Sequence, residues 1–347
     1  MSFHASEAET LPDARDDAVA PHRHGGLDCH CRTLPVQSGL VRALLSGEFA
    51  VTAELVPPAS CSVDALLDKA APLSGRVDAV NVTDGAGARA HMSSLIAATF
   101  LAQHGLEPVL QMTCRDRNRL ALQSDLLGAG AAGIVNVLAL GGDSPAAGDQ
   151  PEAKPVFDLD TPALVATMQQ MSATGTMPSG RPIATPPDFF IGVAETPVDP
   201  EPGWRPDRLL AKIDAGAQFM QTQFCYDIGI LRRYAERLHD SGVTERCFFL
   251  AGTGPIASAR SALWMREHLW GTVIPDAVIE RLAAAADPRL EGQRICIELI
   301  QQMQEIDGIA GVHVMAIGQQ EAIPGILAAA GVGPACRDSG AGGGRSH

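Results

Sequence analysis

The chain of 347 residues is 46% hydrophobic and carries 26 basic against 40 acidic side chains, a formal net charge of −14. That length suits one large α/β domain or two ordinary ones, its 35 glycines and 24 prolines stay below the low-complexity range, and no apolar run reaches the length of a membrane span. The acidic excess repels phosphate backbones and anionic lipid, which sets nucleic acid and membrane surfaces aside as main partners and leaves any anionic ligand dependent on a local basic pocket.

Eight cysteines, at 29, 31, 61, 114, 225, 247, 296 and 336, include no CxxC pair. The N-terminus lacks both the apolar core of a secretory signal and the arginine-rich, acid-poor character of an organellar one, so reduced thiols in a cytoplasmic protein are expected. Residues 1–40, rich in His, Asp, Ala and Pro without periodicity, read as a flexible extension, and the glycine-rich 334–347 as a disordered tail.

Between them, β-type runs alternate with amphipathic stretches. A strand at 49–56 leads to a helix at 63–74, strand 78–83 to helix 91–103, strand 108–113 to helix 116–128, and strand 134–140 to helix 160–171. Strand 189–194 precedes helix 206–215, strand 218–223 precedes helix 228–240, and strand 246–251 precedes helix 257–268. An additional helical stretch at 275–306 comes before the last unit, strand 311–316 and helix 319–329. Eight βα units over residues 41–333 predict a single-domain (β/α)8 TIM barrel, with a doubly wound open sheet as the alternative.

Alternation along the strands locates a site. In the first strand Val51, Ala53 and Leu55 share one face, and Ala50, Thr52 and Glu54 the other. By the same spacing Asn81 and Thr83 oppose Val80 and Val82, Gln111 and Thr113 oppose Leu110 and Met112, and Gln221 falls with Gln223. The helix-facing side of a small closed barrel is apolar, so these polar residues converge on the mouth at the C-terminal strand ends, where such barrels do their chemistry.

Glu54 lies just before Leu55-Val56 and the strand-stopping Pro57-Pro58. It is either a solvated strand-end carboxylate or, shielded in a barrel mouth, a group whose raised pKa suits a general acid or base near neutral pH. Asp143 sits in Leu140-Gly-Gly-Asp-Ser-Pro145, whose glycines let backbone approach a flat or phosphorylated ligand; a plain turn aspartate fits the same residues. Lys212 by itself reads as a surface lysine. The run Arg115-Asp-Arg-Asn-Arg119 opens the helix after the third strand, where it either receives phosphate or carboxylate or forms a solvated face. Cys29-His30-Cys31 with His22 and His24 resembles a soft-metal set, but the spacing matches no structural zinc pattern, and no metal site is predicted.

Taken in order, several segments resemble the methylenetetrahydrofolate reductase family. They are Val51-Thr-Ala-Glu-Leu-Val-Pro-Pro58, Asn81-Val-Thr-Asp-Gly-Ala86, Met112-Thr-Cys-Arg-Asp-Arg-Asn118, Leu138-Ala-Leu-Gly-Gly-Asp143, Asp214-Ala-Gly-Ala217, Gln221-Thr-Gln-Phe224, Gly252-Thr-Gly-Pro255 and Gly311-Val-His-Val-Met315. The resemblance covers about residues 45–332. It implies a (β/α)8 barrel that binds FAD at the C-terminal strand ends and passes hydride from NADH or NADPH, through the flavin, to 5,10-methylenetetrahydrofolate. In that family pattern Glu54 matches the acid that protonates the folate N10, and Asp143 the aspartate that bonds the pterin beside the flavin. Thr83, Asp84, Ala86, Gln111, Gly142, Asp143 and Lys212 match cofactor-binding positions, while Gln223 and Met265 match contacts of the folate or nicotinamide. The resemblance further implies tetrahydrofolate derivatives as substrates and a homo-oligomeric assembly.

Three positions depart from the enterobacterial pattern. Gln111, Gly141 and a position near Thr196 stand where those members carry His, Arg and Tyr, all flavin contacts. Two other expectations therefore remain open from sequence, a flavin-independent reductase of the same reaction and an accessory folate-binding barrel of a methyl-transfer complex. The working direction and the choice between NADH and NADPH are not written in these residues.

Overall fold

The computed structural model describes Leu34 and residues 38–341; the segment containing His22, His24, Cys29 and Cys31 lies outside the described residues. Helix α1 (Gly39–Leu45) precedes the first unit, β1 (Ala50–Leu55) and α2 (Val63–Ala70). The chain continues through β2 (Ala79–Val82), α3 (Ser94–Gln103), β3 (Pro108–Thr113), α4 (Arg119–Ala131), β4 (Asn136–Leu140), α5 (Thr161–Thr174), β5 (Phe190–Glu195) and α6 (Asp207–Ala215). It then forms β6 (Phe219–Phe224), α7 (Ile228–Asp240), β7 (Phe248–Thr253), α8 (Ala259–His268), α9 (Asp276–Ala284), α10 (Pro288–Met303), β8 (Ile309–Val314), α11 (Ile323–Ala330) and α12 (Pro334–Ala341). All strand pairs are parallel and follow sequence order, and β1 closes on β8 with Ala50 opposite Gly311 and Ala53 opposite Val314. The (β/α)8 barrel read from the sequence is the fold, and the open sheet is not. The helical stretch expected at 275–306 is two helices, because Pro288 disfavours helical backbone before it and Asp287 caps α10, accepting from the Arg289 and Leu290 N–H groups at 3.1 and 3.0 Å.

Every second strand residue faces the helices, and Val51, Ala53 and Leu55 pack there as the sequence pattern requires. The others fill the barrel. Its lower interior is an apolar cluster of Ala50, Ala79, Val109, Leu138, Phe190, Phe219 and Leu250. The Phe190 and Phe219 rings stack with centroids 4.7 Å apart. Gly192 makes that possible, since a Cβ at this position would stand 2.2 Å from the Phe219 ring. Helix α1 plugs the bottom with Leu40, Val41 and Leu44. Ser38 caps it, accepting from the Val41 N–H at 3.1 Å, and the Glu107 carboxylate accepts from the Leu40 N–H at 3.1 Å and from Asn136 Nδ2 at 2.8 Å.

Two expected boundaries are corrected. The extension assigned to 1–40 ends inside α1, because Leu40 and its neighbours close the barrel floor. Residues 334–341, expected within a disordered tail, form α12, where Arg337 holds both carboxylate oxygens of buried Asp78 at 2.5 and 2.6 Å and also pairs with Glu48. Asp78 in turn accepts from the Val51 N–H at 2.8 Å, so one charge group ties α12 to the start of β1. Ending the chain at Gly333 strips Asp78 of this cation and should lower the unfolding free energy by about 1–3 kcal/mol in urea, whereas ending it at Ala341 should not. Equal stability of the two shortened chains would refute the Arg337 anchor.

Candidate functional site at the barrel mouth

The polar strand positions form two tiers. In the lower one Thr52, Asn81, Gln221 and His313 are all buried, and they bond to one another across the barrel. Asn81 Nδ2 donates to Gln221 Oε1 at 2.5 Å and Gln221 Nε2 donates back to Asn81 Oδ1 at 3.1 Å. Gln221 Nε2 also reaches Thr52 Oγ1 at 3.0 Å, and that hydroxyl lies 2.9 Å from His313 Nδ1. Burial pushes the His313 imidazole down to about 3, so the ring is neutral at any working pH.

The upper tier opens to the mouth. Glu54 is partly covered, and loss of water around its carboxyl pushes it up to about 7, opposed by a hydrogen bond with the Gln111 side chain. The Thr83 hydroxyl is buried with no protein partner. Gln223 folds back, its Oε1 accepting from the Phe224 N–H at 3.0 Å. Strand alternation brings Glu54, Thr83, Gln111 and Gln223 to the same end of the barrel, as the sequence pattern anticipates.

The rim loops are built around charges. Asp84 accepts from the Thr113 N–H and Oγ1 at 2.8 and 2.9 Å, from Ser94 Oγ at 3.1 Å, and from Arg117. Its carboxylate therefore locks the ends of β2 and β3 together. Arg115 reaches the Gly85 carbonyl at 3.2 Å and the Asp143 carbonyl at 3.5 Å, joining the loops after β2 and β4. Gly142 has φ +90°, and a Cβ there would come within 3.0 Å of the Arg115 side chain, so this turn needs glycine. The Asp143 carboxylate is exposed and accepts from the Gly87 N–H at 3.2 Å, beside the single turn that contains Ala86.

The arginine cluster does not stand open for an anion. Arg115 pairs with Asp116 at 2.7 Å, Arg117 with Asp84 and Asp125, and Arg119 with Asp158 at 2.8 Å. Lys212 is likewise engaged, donating to the Ala194 carbonyl at 2.7 Å and to Glu195 at 3.1 Å at the end of β5. Met265 is buried on α8 and lines a cavity of about 550 Å³ together with Ser261, Trp264 and Ile317. Gln319 closes one side of it, with Nε2 donated to the Pro255 carbonyl at 3.1 Å and Oε1 buried without a partner.

Sequence reasoning assigned no role to His313, Thr52 or Gln319. Thr52 and His313 carried a usable signal, since Thr52 alternates with Glu54 and His313 alternates with Gly311, but Gln319 follows β8 in a loop that no periodicity describes. Among the described residues no group of three or more His, Cys, Asp and Glu side chains is arranged to hold a metal ion, and no helix is long and apolar enough to cross a membrane.

The sequence pattern of the methylenetetrahydrofolate reductase family matches residues 40–331. Relatives include the 5,10-methylenetetrahydrofolate reductases of Pectobacterium carotovorum and Salmonella typhimurium, each 25% identical over 84% of this chain and over 93% and 94% of theirs. Methylenetetrahydrofolate reductase 2 of Schizosaccharomyces pombe is 27% identical over 71% of this chain, which spans 39% of that longer protein. An uncharacterized protein from Clostridium thermocellum that binds two copies of 5-methyl-5,6,7,8-tetrahydrofolic acid superimposes with a TM-score of 0.58 at 14% identity, over 84% of this chain and 97% of that one, a likeness of fold alone. With a match that spans the whole barrel, from the plug helix to α11, the chain belongs to the methylenetetrahydrofolate reductase family of oxidoreductases.

Proposed function

We propose that the chain reduces 5,10-methylenetetrahydrofolate to 5-methyltetrahydrofolate, with NADH or NADPH as the hydride source and FAD held at the barrel mouth. The observation that carries this reading is Glu54, a carboxylic acid poised near neutrality at the mouth of a barrel of this family. Opening the imidazolidine ring of the substrate requires a proton on N10, and an ordinary carboxylate would have lost its proton at neutral pH. At about 7 Glu54 carries one in roughly half of the molecules at pH 7.

The residues present fit a flavin. Thr83 offers a buried hydroxyl with no protein partner, and the left-handed turns at Gly85 and Gly142 bring backbone to the same rim. Thr83, Asp84, Ala86, Gln111, Gly142, Asp143 and Lys212 would hold it, Asp84 and Lys212 chiefly by fixing the rim through Arg117 and Glu195. Bound there, a flavin supplies a hydride store that nicotinamide fills and folate empties.

Each protein group then has a task. Glu54 delivers its proton to N10, the ring opens, and the exocyclic carbon becomes an iminium able to accept hydride. The Gln111 side chain stabilises the carboxylate left behind. Asp143, anchored on Gly87, accepts from the pterin edge, and Gln223 gives up its bond to the Phe224 N–H to meet folate or nicotinamide in turn. Met265 with Trp264 supplies an apolar wall for the aromatic part of the substrate.

The purified chain should show flavin absorbance and oxidise NADH or NADPH in the presence of methylenetetrahydrofolate. A colourless but active preparation rejects FAD, and folate binding without any nicotinamide oxidation rejects the reductase. Glu54→Gln should cut folate turnover by about 100-fold or more while leaving nicotinamide oxidation by an artificial electron acceptor within about twofold; equal loss of both rejects the acid assignment. In the native chain folate turnover should fall as the pH rises through about 7, because the active form is protonated.

The same carboxyl sets a stability gradient. Its folded pKa lies above the unfolded value of 4.5, so the folded state binds the extra proton and stability declines as the pH rises from 4.5 to about 7. The loss amounts to about 3 kcal/mol. Urea unfolding of Glu54→Gln should show a correspondingly flatter pH dependence across that window, and an unchanged gradient excludes Glu54 as its source.

A further inference from the structure

The interior of this barrel changes character between tiers. Below, it is filled by Val109, Leu138, Phe190, Phe219 and Leu250, the apolar filling that closes such barrels most cheaply. One level higher, Thr52, Asn81, Gln221 and His313 are buried just as completely but are polar, and each such group costs about 1–3 kcal/mol if its bonds are lost. Packing alone has no need for polar groups in so buried a layer.

Strand geometry indicates what the layer touches. Side chains two residues apart along a regular strand share a face, so Thr52 lies beneath Glu54 in β1, while Asn81 and Gln221 come two residues before Thr83 and Gln223 at the ends of β2 and β6. The amide pair between Asn81 and Gln221 spans the barrel from β2 to β6, and the bond from Gln221 to Thr52 reaches from β6 to β1. Strand β6 neighbours neither β1 nor β2 in the sheet, so no ladder hydrogen bond joins it to them directly. The cross-barrel side-chain bonds do. The pairing of β6 with β7 also shifts register between Gln221 and Phe224, the interval that contains Gln223, and Gln221 is the last paired residue before it.

We propose that Thr52, Asn81, Gln221 and His313 form a positioning layer that fixes the height and aim of Glu54 and Gln223 relative to each other. The inference rests on the proposed function. It assigns catalysis to none of the four; they act through the residues above them. His313 suits the task because it is uncharged, and a cation in its place would draw the proton off Glu54. The bond between Thr52 and His313 extends the layer to β8, so it crosses the seam where β1 closes the barrel.

The test uses Thr52→Val, which keeps the shape and removes the hydroxyl, Gln221→Leu, which removes the cross-barrel amide, and Thr52→Ser as the conservative rescue. Two readouts are followed in the full-length chain: steady-state folate reduction, and the titration of the Glu54 carboxyl by 13C NMR, assigned with Glu54→Gln. A positioning layer predicts that Thr52→Val and Gln221→Leu lower kcat for folate by about 10-fold to 100-fold while nicotinamide oxidation by an artificial acceptor persists. The Glu54 midpoint should rise by about half a unit or more in Thr52→Val, and both properties should return in Thr52→Ser. Lowered thermal stability with an unmoved Glu54 midpoint and unchanged folate kcat overturns the proposal and leaves a structural role. If the unsubstituted chain reduces no folate but its Glu54 midpoint still moves with Thr52→Val, the functional reading fails and the positioning layer stands.

Discussion

Closure of β1 onto β8 is the constraint on which the rest depends. A closed sheet has no edge, and every second residue of all eight strands must share one narrow interior. That space is filled in order from the bottom: the α1 plug, the stacked rings of Phe190 and Phe219 made possible by Gly192, the hydrogen-bonded polar layer, and the open tier with Glu54 and Gln111. The bottom of that stack is held by Glu107, which accepts from the Ser38 hydroxyl and the Leu40 N–H.

The electrostatics of the mouth follow from the same economy of space. The chain is strongly acidic, and the arginines of the 115–119 run are paired with aspartates: Arg115 with Asp116, Arg117 with Asp84 and Asp125, Arg119 with Asp158. The Arg117 and Arg119 pairs tie the segment after β3 to the end of β2 and to the segment before α5. The consequence is that this run gives the rim firm geometry and not open positive charge. Lys212 illustrates the point, since Glu195 and a strand-end carbonyl already share its ammonium group.

Glu54 works within that neutral setting. Burial raises its pKa, Gln111 moderates the rise, and the layer beneath is polar without being charged, because His313 is held neutral. A nearby cation would have made Glu54 an ordinary carboxylate, and a wholly apolar floor would have left it without a defined place. The glutamine at position 111, a departure from the histidine of the enterobacterial pattern, acquires a physical role here as the partner of the acid.

Eight βα units and the faces on which Glu54, Thr83, Gln111 and Gln223 lie were legible in the sequence, because alternation and βα order are local properties of the chain, while the choice of a closed barrel over an open sheet rests on the pairing of β1 with β8. The sequence also carried the family, through motifs that follow the strands. What it could not supply was partnership across the fold. Arg337 meets Asp78 over a separation of 259 residues, His313 meets Thr52 over 261, and neither contact leaves a periodic trace. So residues 334–341, read as part of a tail, form a helix anchored by a buried carboxylate, a basic run read either as an anion site or as a solvated face is paired with aspartates, and a histidine given no role bonds to Thr52 in the buried polar layer. Local pattern fixes which face a side chain takes; only closure of the barrel decides which distant group it finds there.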